Sequence, residues 1–238
     1  MQAHRDIPFL STAWCVGFCC SVILILGSLL LFALLPRAHH ERVASALGIG
    51  MLAEILCTHL YLVFIQESWT LVDSLPLHLC RLSFIVAGLT MISKSQGLYE
   101  WSVYLGLASG FHSIVTPELT QGDSPWMLFD YYVSHSLLMA IPIILSVFFG
   151  RVPRRWAAFR MFLYVNAIAV IVFAVNLATG ANYMYLSDRP VANSPLLVGP
   201  WPWYLLGLQV VLIVHLIVVD VLFRVFPQRA MRRRHRIN

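Results

Sequence analysis

The chain is 238 residues long, 59% hydrophobic and only 11% charged. Soluble domains carry about 25% charged residues, so this composition excludes a soluble globular enzyme and predicts an integral membrane protein. The formal net charge of +5 does not read as nucleic-acid binding. The basic residues sit in short segments between apolar runs and in the C-terminal tail, where they set membrane orientation.

A helix that crosses the hydrocarbon needs about 20 mostly apolar residues. Seven runs meet that need, at about 13–35, 44–66, 74–93, 98–115, 127–149, 159–177 and 203–225. The first is longer than the roughly 7–15 residues of a signal-peptide core and lacks a clear small-x-small cleavage site, so it reads as the first membrane helix. The connecting segments alternate in charge. Arg37 and Arg42 follow run 1, whereas Glu67 and Asp73 follow run 2. Lys94 follows run 3, Glu118 and Asp123 follow run 4, and Arg151, Arg154, Arg155 and Arg160 follow run 5. The loop 178–202 holds only Asp188 and Arg189, and the tail holds Arg229, Arg232, Arg233, Arg234 and Arg236. The positive-inside rule then places the N-terminus outside and the C-terminus inside. Six or eight helices break the alternation. The expectation is an all-α membrane protein, one seven-helix domain over 1–238, with membrane lipids as its surroundings and no cofactor.

The five cysteines (15, 19, 20, 57 and 80) all lie in apolar runs without a CxxC pair, so neither a disulfide framework nor a zinc site is predicted. Ionisable groups inside a membrane are costly and mark functional sites. Counting about 1.5 Å per residue from the outer helix ends, His59, His78, His112 and His135 fall in the outer half of the bilayer and His215 near its middle. Asn176 and Asn182 stand at the outer end of run 6. This clustering predicts a polar cavity open to the outer side. Its expected ligand contacts are Arg81, His59, His112, Asn176, Asn182 and Tyr183. Glu54 and Arg81, at neighbouring depths, form an expected structural pair. A metal held by the four outer histidines finds no support in spacing, since no two share a helix.

The stretch Asp73–Arg81 carries the most polar chemistry, with His78, Cys80 and Arg81 within four positions. On a regular helix His78 and Cys80 point about 200° apart, so a base for a Cys80 nucleophile comes from another helix, with His135 at the right depth. An irregular backbone near Pro76 lets His78 turn toward Cys80 instead. A buried inert thiol is the simplest reading of Cys80 from composition alone. The loop 178–202, with Pro195, Pro200 and Pro202 and several Trp and Tyr residues, serves either as an interfacial anchor for the last helix or as a lid over the outer mouth.

Leu75-Pro-Leu-His-Leu-Cys80, Thr116-Pro-Glu-Leu119, His135, Asn182-Tyr-Met-Tyr-Leu186 and Gly199-Pro-Trp-Pro-Trp-Tyr204 together resemble the bacterial YwaF-type membrane proteins, grouped with the transmembrane protein 164 family. The resemblance runs from the second helix to the seventh. It implies seven helices and, for the eukaryotic relatives, acyl transfer between phospholipids through a cysteine assisted by histidine. A more distant set of membrane hydrolases uses a threonine and a histidine on fatty-acid esters of hydroxy fatty acids. Carried to this chain, the resemblance implies Cys80, His135 and His78 as catalytic residues, a phospholipid or fatty-acyl substrate, and a bacterial cytoplasmic membrane. The other reading is a non-catalytic carrier or receptor for a small polar or lipid ligand at the same cavity. Against transport, the sequence has no inverted repeat and no matched pair of broken helices.

Overall fold

In the computed structural model, the described residues are 5–190 and 199–225. Ser194, Pro195 and the basic tail from Arg229 lie outside them. Seven helices form the bundle among the described residues. Helix α1 (Thr12–Leu34) begins where the Ser11 hydroxyl accepts from the Trp14 amide at 3.2 Å and ends before Pro36. Helix α2 (His40–Phe64) follows a 3-10 turn at Arg37–His39. His40 closes that corner, with Nε2 3.0 Å from both the Phe32 and Leu35 carbonyls. Helix α3 spans Leu79–Ser93. Helix α4 runs Gln96–Trp101, widens into a π segment at Ser102–Gly106, and continues as Leu107–Val115. Helix α5 (Pro125–Phe148) has Ser124 as its N-cap. Helix α6 (Ala157–Thr179) stops at Gly180, whose φ of 74° few residues other than glycine adopt. Helix α7 (Trp203–Asp220) passes into a π turn at Val221–Val225.

Five of these helices (α1, α2, α5, α6 and α7) have the length and apolarity of a membrane span, while α3 is apolar but shorter. Their faces show why they are stable in lipid. The large apolar side chains of α1, α6 and α7, such as Ile23, Val170 and Val210, point outward. Hydrocarbon solvates that surface, whereas the backbone groups are satisfied within each helix. The core lies where α3, α4 and α5 meet, around Phe84, Met91, Tyr99, Tyr104, Leu138 and Ile141. Helices α2 and α3 touch through Gly48 and Gly88. A Cβ on Gly48 would sit 2.5 Å from the Gly88 carbonyl oxygen, so only glycine permits this approach.

Two departures from the sequence-predicted elements shape the site. The run expected as a helix from residue 74 is irregular as far as His78, which is extended (φ −66°, ψ 142°). Proline disfavours helical backbone at the residue before it, so Pro76 keeps Leu75 out of a helix, and α3 begins only at Leu79. After α4 the chain does not leave as a free loop. Glu118–Leu119 pairs antiparallel with Arg5–Asp6, and Glu118 and Leu119 are buried.

Candidate functional site

A cavity of about 470 Å³ lies among α3, α4, α5, α6 and α7. Cys80, His78, Arg81, His112 and His135 all line it, as do His215, Tyr131, Tyr185, Glu118, Asn166 and Gln209. Much of the remaining wall is aliphatic, from Val165 and Ala169 on α6 and Leu205, Leu208, Val211 and Leu212 on α7. His59, Asn176, Asn182 and Tyr183 are not in this wall.

Cys80 occupies the second position of α3, half-buried, where the helix dipole favours negative charge. The other four cysteines are on the outside of the bundle. His135 is buried in α5 with Nδ1 2.6 Å from the Tyr131 carbonyl oxygen. A carbonyl only accepts, so Nδ1 carries the proton and Nε2 keeps its lone pair. His78 is held the other way round, because its Nδ1 accepts from the Met184 amide at 3.3 Å. In neutral His78 the proton is therefore on Nε2. No hydrogen bond joins Cys80 to His135.

Arg81 is bound by Asp130 rather than chiefly by Glu54. Nη1 donates to Asp130 Oδ1 at 2.8 Å, Nη2 pairs with Oδ2, and Glu54 Oε2 stands 3.9 Å away. Thr58 bridges the acids, donating to Glu54 Oε1 at 3.2 Å or Asp130 Oδ1 at 3.1 Å, and accepts from Trp126 Nε1 at 3.1 Å. Each terminal nitrogen of Arg81 thus meets a protein carboxylate oxygen, which offsets the charge that Arg81 would present as the ligand contact expected from the sequence. His59 lies on the far side of this cluster, accepting from Trp69 Nε1 at 3.1 Å beside a separate pocket of about 40 Å³.

The asparagine and tyrosine of the Asn182-Tyr-Met-Tyr stretch build the wall of the cavity instead of contacting its contents. Asn176 grips the Tyr183 backbone twice, at 2.9 and 3.0 Å. The buried Tyr183 hydroxyl donates to the Leu71 carbonyl and accepts from the Leu75 amide, both at 2.8 Å. Asn182 Oδ1 accepts from the amides of Ser187 and Asp188. These ties hold Met184 and Tyr185 at φ of 57° and 54°, a left-handed backbone that non-glycine residues seldom adopt, and place both side chains in the cavity wall. Trp201 Nε1 donates to the Leu186 carbonyl at 3.0 Å and the Tyr204 hydroxyl to the Tyr185 carbonyl at 2.7 Å. Met184, Tyr185, Leu186 and Pro190 of the loop therefore line the cavity, and Trp201 and Tyr204 of the Pro-Trp-Pro-Trp-Tyr segment fasten this part of it. Burial and the Glu118 carboxylate push the Tyr185 phenol above the usual tyrosine range.

His112 is one of the four histidines that the sequence places in the outer half of the bilayer. In the structure it lines the cavity and faces mid-helix His215, with ring centroids 6.0 Å apart. Sequence reasoning passed over Asp130, Tyr131, Tyr185, Asn166 and Gln209. An acid at position 130 inside an apolar run was a readable signal; the mutual hydrogen bonds of Asn166 and Gln209, at 2.8 and 3.4 Å across α6 and α7, were not. Among the described residues no three His, Cys, Asp or Glu side chains are grouped to hold a metal.

No curated protein and no solved structure matches the chain. A family model, that of the TMEM164 family, matches residues 9–220. That range takes in all seven helices, every cavity residue named above and the whole of the stretch 178–202, so the chain belongs to the TMEM164 family.

Proposed function

We propose that this protein is an intramembrane acyl enzyme, a lipid acyltransferase or ester hydrolase, with Cys80 as nucleophile and His135 as general base. The observation that carries this reading is the convergence of Cys80 and His135 on one cavity with a largely aliphatic wall. Such a wall suits fatty-acyl chains, and the lone pair on His135 Nε2 suits a base. The Nδ1 lone pair of His78 is engaged by Met184, which favours His135 for that role.

In the first step the Cys80 thiol gives its proton to His135 Nε2 and the sulfur attacks an ester carbonyl carbon of a membrane lipid. The C–S bond forms, the C–O bond breaks, and the leaving alkoxide takes the proton back from His135. In the second step His135 deprotonates a lipid hydroxyl or water. That oxygen attacks the thioester, and Cys80 leaves as the thiol after recovering the proton. The sequence-based topology completes the reading: seven spans, the N-terminus outside, the C-terminus inside, in a bacterial cytoplasmic membrane, within a YwaF-type branch of the family.

The test is acyl exchange by purified protein in lipid nanodiscs, followed by mass spectrometry of the peptide that carries Cys80. Cys80→Ala is expected to abolish exchange and leave the fold intact; full exchange by that variant ends this proposal. The missing hydrogen bond between Cys80 and His135 favours a second reading, a non-catalytic binding protein for a lipid or small polar ligand. That reading predicts ligand-dependent thermal stabilisation without turnover, retained in Cys80→Ala.

A further inference from the structure

On the α4–α7 wall the cavity carries a polar group that the acyl chemistry does not use. His112 and His215 face one another there, their ring centroids 6.0 Å apart. Among the described residues His215 Nε2 is buried without a hydrogen-bond partner, and the half-buried ring of His112 lies beside it in the same cavity wall. A buried imidazole nitrogen left unsatisfied is destabilising, and native proteins rarely keep such groups without a ligand, a water or a role. Nearby on α6 and α7, Asn166 and Gln209 bond to each other in the same cavity wall.

The chemistry of this wall is specific. Imidazoles and carboxamides offer donors and acceptors but no fixed charge. The one arginine in the cavity wall has its terminal nitrogens engaged by Asp130. A phosphate or free carboxylate thus meets no cation at the His112–His215 wall and, at Arg81, one already paired with a carboxylate. A hydroxyl or an ester carbonyl can accept from one imidazole and donate to, or leave open, the other.

We infer that His112 and His215 form a second binding subsite that takes the uncharged oxygen of a neutral amphiphile, an alcohol or ester carried on an aliphatic chain. The subsite stands on geometry independent of Cys80, so it holds whether the protein turns its ligand over or only binds it. Its place beside Leu212 and Ala108 lets the aliphatic part of the ligand rest against apolar wall while its oxygen meets the two rings.

The experiment is photolabelling of the full chain in nanodiscs with a diazirine-bearing monoacylglycerol, with the labelled residues mapped by mass spectrometry. Labels are expected within a helical turn of His112 or His215, in the parent and equally in Cys80→Ala. Unlabelled monoacylglycerol is expected to compete, and the phosphate-bearing lysophosphatidic acid of the same chain to compete at least about ten-fold less well. The double variant His112→Leu/His215→Leu loses about ten-fold or more in labelling, as expected for two lost interior hydrogen bonds. His112→Gln/His215→Gln, which keeps hydrogen-bonding groups, stays within about three-fold of the parent. Labels confined to α2 or α3, equal competition by the phosphate lipid, or full labelling of the leucine variant overturns the inference. If the leucine variant does not fold, the label map and the competition in the parent decide it. Loss of acyl exchange with labelling intact speaks against the acyl enzyme alone.

Discussion

Asp130 and Glu54 both face Arg81, yet their replacement should differ sharply in cost. Asp130 is 3% exposed and makes the bidentate contact to the guanidinium, whereas Glu54 Oε2 lies 3.9 Å from Arg81 with no hydrogen-bond partner. Asp130→Leu removes the close partner of a largely buried cation, leaving only Glu54 at 3.9 Å, and takes away one of the two carboxylate acceptors of the Thr58 hydroxyl. Breaking such a pair costs about 3–5 kcal/mol, because the surviving charge stays desolvated. Glu54→Gln removes the more distant of two carboxylates and leaves a charge-balanced Arg81–Asp130 pair. Its side-chain oxygen can still accept from Thr58. The expected change is under about 1 kcal/mol, the scale of one interhelical hydrogen bond in a membrane. Reversible unfolding in mixed micelles titrated with denaturing detergent measures both. Equal losses, or a larger loss for Glu54→Gln, would refute the assignment of Asp130 as the principal partner of Arg81.

Gly48→Ala drives a Cβ against the Gly88 carbonyl and should cost about 1–3 kcal/mol by overpacking in the same unfolding assay, while Gly50→Ala, with open space around it, changes stability little. Tyr183→Phe leaves the Leu71 carbonyl and Leu75 amide without their shared hydroxyl, a loss of about 1–3 kcal/mol; hydrogen exchange should rise at residues 71–78 and 183–190 rather than across the bundle. Asn176→Ala frees the Tyr183 backbone and should raise exchange in 183–190, and unchanged exchange there would show that the loop is held by other means.

The helices were legible because membrane spans are long and apolar, a signal that needs no tertiary context. The start of α3 was not, since Pro76 acts on the backbone locally and the hydropathy of Leu75, Leu77 and Leu79 continues through the break. The grouping of Cys80, His78, His112 and His135 around one cavity follows from shared depth, which position along a helix reveals. Direction around each helix is harder to read, and there the sequence misleads. Asn176, Asn182 and Tyr183 have the depth of cavity residues, but their side chains turn to backbone groups and hold the loop in shape. His59 has the depth too, yet faces Trp69 outside the cavity. Arg81 shows the same limit in partner choice. Glu54 and Asp130 are both intramembrane acids, and only the packing of α5 against α3 brings Asp130 closer.

The most direct measurement is site-resolved acylation of the five cysteines in nanodiscs by a membrane-soluble activated acyl ester. Cys15, Cys19, Cys20 and Cys57 lie on the outside of the bundle and serve as internal controls for simple access. Cys80 is expected to be acylated far faster than these four, His135→Gln to remove the difference, and added lipid alcohol or water to regenerate the free thiol. Labelling that follows exposure alone, with Cys80 no faster than the lipid-facing cysteines and indifferent to His135, would contradict the acyl-enzyme reading.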